Sequence, residues 1–564
     1  MYIVNMIVVL FVLVSVVGGE VNSTEGRGSR MAWMKKLVDH HDWLSIFNGN
    51  NTIPQECEAD LKLYINALNQ GQLWASKIFD ASGQYIPNIL FGNDYWMGSW
   101  NACKDLQLKQ YYAETPPFST AFYVARVNLT VDGDHVQPRQ MLVGQCLPAS
   151  CSKEAVKTVL DAAEELAVAA AARAGFEAAF NTLYVRAVPG SYNLFADPKF
   201  HILGVAVTIV AIWMLAASLY EGYLERRHRR KEQKDLELAN NNQKPTVVLW
   251  VIMVHTYLTI FFIADNKTMR IVTERNFFYQ SVGNASYCVD TFFFISGLLV
   301  TVLFLRTEDK KASKKADKKA KPNEQDINKN INGYSNSALS VSVISQESFN
   351  EDPLDKPAPK GYSQQEIFRM TKSFLVLFLY RVVRLTPAYA FVIGLNELAL
   401  RYTYDNTVFE PAIFDHITCD HYWWRNLLYI SNLFPQKDMC MTHEDCNGIL
   451  IIVNAWGVAL AWIAVACCCG YGGLVNSALS YRGFLPLSRL TYCSYLVHPT
   501  IMMYTTFLLD GPLHLQNSIV LTIYAGYAVM AFLASFAISL AFEAPAVRLL
   551  KIISVGNKNK KPTN

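Results

Sequence analysis

Three ionisable side chains fall inside apolar stretches of this sequence, and they are the first candidates for chemistry. His255 lies in Val-Ile-Met-Val-His-Thr-Tyr, Asp290 stands before Thr-Phe-Phe-Phe-Ile-Ser-Gly, and His498 closes Tyr-Leu-Val-His-Pro. Ionisable groups are costly in hydrocarbon, so those that persist face a protein interior and often mark a functional site. An imidazole titrates near neutrality and can take a proton from a hydroxyl. A purely structural hydrogen-bonding role competes with that reading of His255 on even terms. Arg381 and Arg384, spaced i, i+3, share one helix face just ahead of Pro387, which should kink the helix. Guanidinium groups grip phosphates bidentately, which would suit lipid headgroups or coenzyme A phosphates. Snorkelling to the headgroup layer is the plainer alternative.

The elements that must carry these residues are membrane helices. The chain has 564 residues, 52% of them hydrophobic, with a net charge of only +3, which gives no basis for nucleic-acid binding. Seven segments are apolar enough to span a bilayer. They run from about Ile202 to Tyr220, Thr246 to Ala264, Cys288 to Leu305, Phe374 to Leu400, Ile449 to Cys469, Ser488 to Leu509 and Ser518 to Ala541. Basic flanks orient them, because Lys and Arg stay on the cytosolic side. The run Glu225–Lys231, the Lys-rich stretch 310–321 and the tail 551–561 should therefore be cytosolic. The segments ahead of the first span and after the second and fourth should be luminal or extracellular.

That assignment agrees with the front of the chain. Ile7–Val17 followed by Gly18 and Gly19 reads as a signal peptide over 1–19, although it lacks a basic start. Residues 20–198 then read as a small domain whose four cysteines, Cys57, Cys103, Cys146 and Cys151, allow two disulfides in three connectivities. Glycosylation sequons stand at Asn22, Asn50 and Asn128, and again at Asn266 and Asn284 beyond the second span. Ser152 should cap a helix from Lys153 to about Phe180. No metal-ligand spacing occurs in this head. The expected organisation continues with spans one to three over 199–306, a disordered cytosolic linker over 307–369, spans four to seven over 370–545, and a basic tail over 546–564. The fold class is mainly α: a polytopic helical bundle behind a small, disulfide-bonded, mostly helical head.

Four stretches carry a resemblance. They are Val289–Thr301, Arg381-Val-Val-Arg-Leu-Thr-Pro-Ala-Tyr389, Tyr422-Trp-Trp-Arg-Asn-Leu-Leu-Tyr-Ile430 and Pro486–Pro499. Together with the cysteine-bearing head, they resemble the nose-resistant-to-fluoxetine group of the membrane acyltransferase-3 family. The resemblance implies an enzyme that moves an acyl group from a cytosolic donor, acyl-CoA, to a lipid or other hydroxyl acceptor, with no bound cofactor. It implies His255 as the base and Lys244 at a position where the family carries Arg. It also implies residence in the endoplasmic reticulum or plasma membrane, among lipids as partners. Against the family pattern, about four helices are missing between Cys446 and the span holding Trp456. A non-catalytic carrier of lipids or hydrophobic small molecules, and an incomplete inactive form, are the alternatives.

Overall fold

The computed structural model describes residues 32–48, 53–86, 88–108, 114–131, 139–228, 244–283, isolated positions between 291 and 304, and residues 364–410, 415–431, 434–435, 440 and 485–547. The head comprises helices α1 (Gln55–Asn69), α2 (Leu73–Ala81), α3 (Trp100–Asp105) and α4 (Lys153–Arg173), with strands β1 (Tyr95–Trp96), β2 (Thr120–Val131), β3 (Arg139–Pro148) and β4 (Ala178–Val188). The strands form one sheet in the order β1-β3-β2-β4, antiparallel except for the β1–β3 edge. Helical residues outnumber strand residues in the head, as expected, but the sheet is what organises it. α4 packs on the sheet with Val156, Val159, Leu160, Ala163 and Ala167 buried.

Ser152 does cap α4, its hydroxyl accepting from the Ala155 amide at 3.2 Å. The helix stops at Arg173 rather than near Phe180. Gly175 takes φ 80°, and the Phe176 amide reaches back to the Ala171 carbonyl at 3.0 Å, which closes the helix. The freed segment is rich in β-branched and aromatic residues and pairs with β2 instead. Both head disulfides form. Cys57–Cys151 ties α1 to the turn before α4, and Cys103–Cys146 ties α3 to β3.

His40 sits at the centre of this head. Gln145 Nε2 donates to the Gly83 carbonyl, so Gln145 Oε1 is the acceptor for His40 Nε2–H at 2.6 Å. Tyr64 then donates its hydroxyl to His40 Nδ1 at 2.7 Å. Desolvation pulls the imidazole from its ordinary value of 6.5 down to about 4. The folded head thus refuses a proton that the unfolded chain accepts below 6.5. Head stability is expected to fall as pH drops from 6.5 to about 4, by on the order of 3 kcal/mol in all. Denaturant midpoints at pH 7.0 and 4.5 check this; His40→Gln should flatten the difference, and an equal loss in that variant would contradict the assignment.

The bundle behind the head is built from α5 (Pro198–His228), α6 (Lys244–Ile263), α9 (Gln364–Asn406), α11 (Leu485–Phe507) and α12 (Asn517–Ile538). Between α6 and the linker lie two short helices, α7 (Met269–Arg275) and α8 (Phe277–Gly283), and α10 (Asp415–Leu427) follows α9. Three described helices contain segments long and apolar enough to cross a membrane, Pro198–Ala216, Phe368–Asn406 and Asn517–Val547, and Val248–Ile263 is a shorter apolar one. The expected span Ile449–Cys469 and most of Cys288–Leu305 lie outside the described residues, as does nearly all of the linker.

The head sits on one end of this bundle. Asp510, just past α11, caps α3 by accepting from Ser99 Oγ at 2.6 Å and the Trp100 amide at 2.9 Å. Glu410, just past α9, accepts from Arg186 Nε at 3.1 Å and also pairs with Arg126. Lys267, just past α6, bonds Asp94 at 2.8 Å and lies over the Tyr95 ring at 4.6 Å. α5 begins and α6, α9 and α11 end on the head's side, while α12 begins there. This is the alternation the basic flanks imply.

Candidate functional site

Two of the sequence candidates meet in the bundle. His255 of α6 and His498 of α11 face each other, Nδ1 to Nε2 at 3.0 Å, with ring planes tilted by 35°. His498 is fully buried. His255 lies about 12 Å of helix rise below the head-side end of α6. α6 packs against both α11 and α12, and its Val248 and Ile252 join Met502 and Ala531 in one cluster. Helix–helix packing therefore fixes the depth of both rings.

The hydrogen bonds fix the tautomers. The second nitrogen of His498, Nδ1, lies 3.1 Å from the Ser494 carbonyl. A carbonyl only accepts, so Nδ1 carries the hydrogen and Nε2 offers its lone pair to His255. His255 must then donate through Nδ1–H. In the neutral ring that makes His255 Nε2 the basic nitrogen. The order is backbone carbonyl, His498, His255, then the base position.

Further toward the head, Thr500 donates to buried Asn396 Oδ1 at 2.9 Å, which locks the register of α9 against α11. Toward the other end, Arg384 Nε donates to Glu543 Oε1 at 3.0 Å, and a second guanidinium nitrogen reaches the same oxygen. Glu543 is buried in the five-residue π-turn Ser539–Glu543 that follows α12, and Ser539 donates to its Oε2 at 3.2 Å. Arg384, expected as one arm of a phosphate clamp, pairs with Glu543 in this structure. One edge of its fork is taken up by Glu543, because a buried carboxylate requires a cation. Arg381, one turn earlier on the same face, is half-buried.

Arg384→Ala is expected to lower stability by about 2 kcal/mol, because Glu543 would stay buried without its cation. That is below the usual range for a buried pair, since the Arg384 side chain is part-exposed. Comparing melting temperatures of Arg384→Ala and the double variant Arg384→Ala/Glu543→Gln checks it. The second change should recover most of the loss; no recovery would show that the pair is not what holds these ends together.

The other candidates scatter. Lys244 is the first residue of α6, and its side chain lies outside the described residues, as do Asp290, Asn22, Asn50 and Asn284. Asn128 is part-exposed in the middle of β2. Asn266 is withdrawn as a glycan site. It is buried, its Nδ2 donates to the Leu515 carbonyl at 3.2 Å, and its Oδ1 accepts from the Leu515 amide at 2.8 Å, so the nitrogen that would carry a sugar is enclosed. A third disulfide, Cys419–Cys440, takes two of the three cysteines of the loop after α9. Sequence reasoning missed Glu543 and Asn396. Glu543 was detectable as a lone acid beside the end of the last apolar run, whereas Asn396 looked like one more polar residue near a helix end.

Comparisons with known proteins fit this architecture. Residues 57–160 match the family described as nose resistant-to-fluoxetine protein, N-terminal domain. The chain is 20% identical to nose resistant to fluoxetine protein 6 of Caenorhabditis elegans over 708 residues, covering 87% of this chain and 79% of the relative. That aligned length exceeds the 564 residues here, so the relative carries stretches with no counterpart in this chain. No solved structure matches. Both head disulfides draw on cysteines within the matched segment, and the likeness continues through the membrane helices behind it. On those grounds the chain is a membrane protein whose head carries a nose resistant-to-fluoxetine N-terminal domain.

Proposed function

We propose that this protein is a membrane-bound O-acyltransferase, taking its acyl group from acyl-CoA on the cytosolic side and passing it to a lipid or other hydroxyl acceptor, with His255 as general base. The observation that carries the reading is the tautomer order at the histidine pair. His255 Nε2 takes the hydroxyl proton as the acceptor oxygen attacks the thioester carbonyl. The carbon–sulfur bond then breaks, and the coenzyme A thiolate leaves and is reprotonated from the imidazolium.

The register adds support. Asn396 stands opposite Thr500, so His498 is level with about residue 394 of α9, and Arg384 lies about 15 Å of helix rise further toward the end away from the head. A donor whose phosphates and thioester are far apart requires such a separation. The disulfides suit a head facing an oxidising compartment, which favours the endoplasmic reticulum or plasma membrane with the head luminal or extracellular. On the same orientation, residues 1–19 act as a signal peptide and exposed sequons carry glycans.

The test is transfer of label from radiolabelled oleoyl-CoA into membrane lipid by the full chain in proteoliposomes. Activity that disappears in His255→Ala supports the proposal. Lipid uptake that persists unchanged in that variant, with no transfer in either protein, would favour a carrier instead.

A further inference from the structure

A second site stands at the boundary between head and bundle. The segments after α6 and before α12 are zipped together there: the Asp265 amide donates to the Leu513 carbonyl at 3.0 Å, and the Leu513 amide to the Ile263 carbonyl at 3.1 Å. Asn266 bridges to Leu515 in both directions, and His514 Nδ1 bonds Asp265 at 2.8 Å. Over this platform comes the head's loop 88–92. The Thr268 amide and hydroxyl both donate to the Phe91 carbonyl, at 3.0 and 2.9 Å. Gly92 adopts φ 93°, and a Cβ there would stand 2.7 Å from Lys267 Cβ, so the loop is held as close as a glycine permits.

Between loop, platform, α7 and the start of α12 lies a cavity of about 660 Å³. Its volume falls within the range of small-molecule sites, which are mostly apolar with a few placed polar groups. Phe91, Val272 and Leu515 supply apolar wall, while Asn88, Thr273 and Ser518 bring amide and hydroxyl groups. No Asp, Glu, Lys or Arg lines it, and the histidine in its wall, His514, is paired with Asp265. The adjacent charges are already engaged, Asp265 by His514 and Lys267 by Asp94. An ionised ligand would therefore lose its hydration without gaining a counter-charge. The lip is apolar and open: Met269 is 41% exposed and Val272 59%, both on α7 at the head-side end of the bundle helices.

We infer that this cavity binds an uncharged, hydroxyl-bearing amphiphile of the acylglycerol type, entering from the membrane. The inference does not depend on the histidine pair or on acyl transfer. The walls are preformed by the bridges just described, so binding needs little reorganisation.

The experiment uses the purified full chain in neutral-lipid vesicles with a photoactivatable monoacylglycerol, and a photoactivatable fatty acid of equal chain length as the charged comparison. Label is expected in segments 88–92 and 269–276. It should fall by about fivefold or more in the cavity-filling variants Val272→Trp and Ser518→Phe, and stay within about twofold in Ile271→Trp, which is exposed on α7 but outside the cavity. The carboxylate probe should label those segments about fivefold less. Two filling variants guard against one misfolding, and intact head disulfides by non-reducing peptide mapping report the fold. Equal labelling of filled and wild-type protein, or equal labelling by the carboxylate probe, overturns the inference. Because neither readout involves acyl-CoA, failure here leaves the acyltransferase reading untouched, and the reverse also holds.

Discussion

His255→Ala is expected to lower acyl transfer from radiolabelled oleoyl-CoA by about 10²–10⁴-fold, the usual worth of a positioned general base. The loss should fall on kcat, with the KM for oleoyl-CoA little changed, because the ring acts on the acceptor proton and not on the donor phosphates. His255 is only partly buried, so removing it should not unfold the bundle. In the proposed mechanism the buried His498 touches His255 and leaves the acceptor to that ring. It is a positioning residue that fixes which nitrogen of His255 is basic, and His498→Ala should cost less, about tenfold to a hundredfold. Retained transfer in His255→Ala with normal membrane insertion would remove the base assignment.

The second large effect is structural. The Glu410 side chain is 4% exposed and holds two guanidinium groups, of Arg126 in β2 and Arg186 in β4, with the Tyr184 hydroxyl on one of its oxygens. Burial first, then the bond to Glu410, pushes the Tyr184 phenol upward, so it stays a donor throughout the working range. Arg186 also reaches the Val408 carbonyl at 2.7 Å. Glu410→Ala would leave two part-buried cations with no anion, a change worth about 3 kcal/mol. Since Asp510, Asp405 and Lys267 hold other parts of the head, the expected result is local opening rather than release of the whole domain. Hydrogen exchange at β4 and at the end of α9 should speed up by about a hundredfold, with α1 and α2 unaffected. Unchanged exchange at β4 would show that Glu410 is not the latch.

The membrane helices were legible because apolar length and basic flanks are properties of single segments. Ile202–Tyr220 and Ser518–Ala541 fall within helices of the structure, and Thr246–Ala264 overruns its helix by one residue. The head was harder. The start of β4 follows an alanine-rich helix expected to run to about Phe180, and the alternation of Phe180, Thr182 and Val185 is broken by the β-bulge opposite Arg126/Val127. Strand pairing is non-local, so nothing near Ala178 announced its partner on β2. The four cysteines were visible, but their connectivity depended on how the sheet brings Cys146 to α3.

At the site, residue type singled out His255 and His498, while their meeting depended on packing between helices more than two hundred residues apart in sequence. Arg384 was noticed for the right reason, a guanidinium in an apolar setting, and its partner lay beyond the limit drawn for the last span. Asn266 shows the opposite failure: a sequon describes three residues, and burial by Leu515 is invisible in them.

The proposed chemistry requires the two histidines to act as one unit. The direct measurement is a double-variant cycle in proteoliposomes, with acyl transfer from oleoyl-CoA recorded for His255→Ala, His498→Ala and both together. If His498 works only through His255, the double variant loses no more than His255→Ala alone. Losses that multiply would mean that the rings act independently, and the order of carbonyl, His498 and His255 would then have no part in the chemistry.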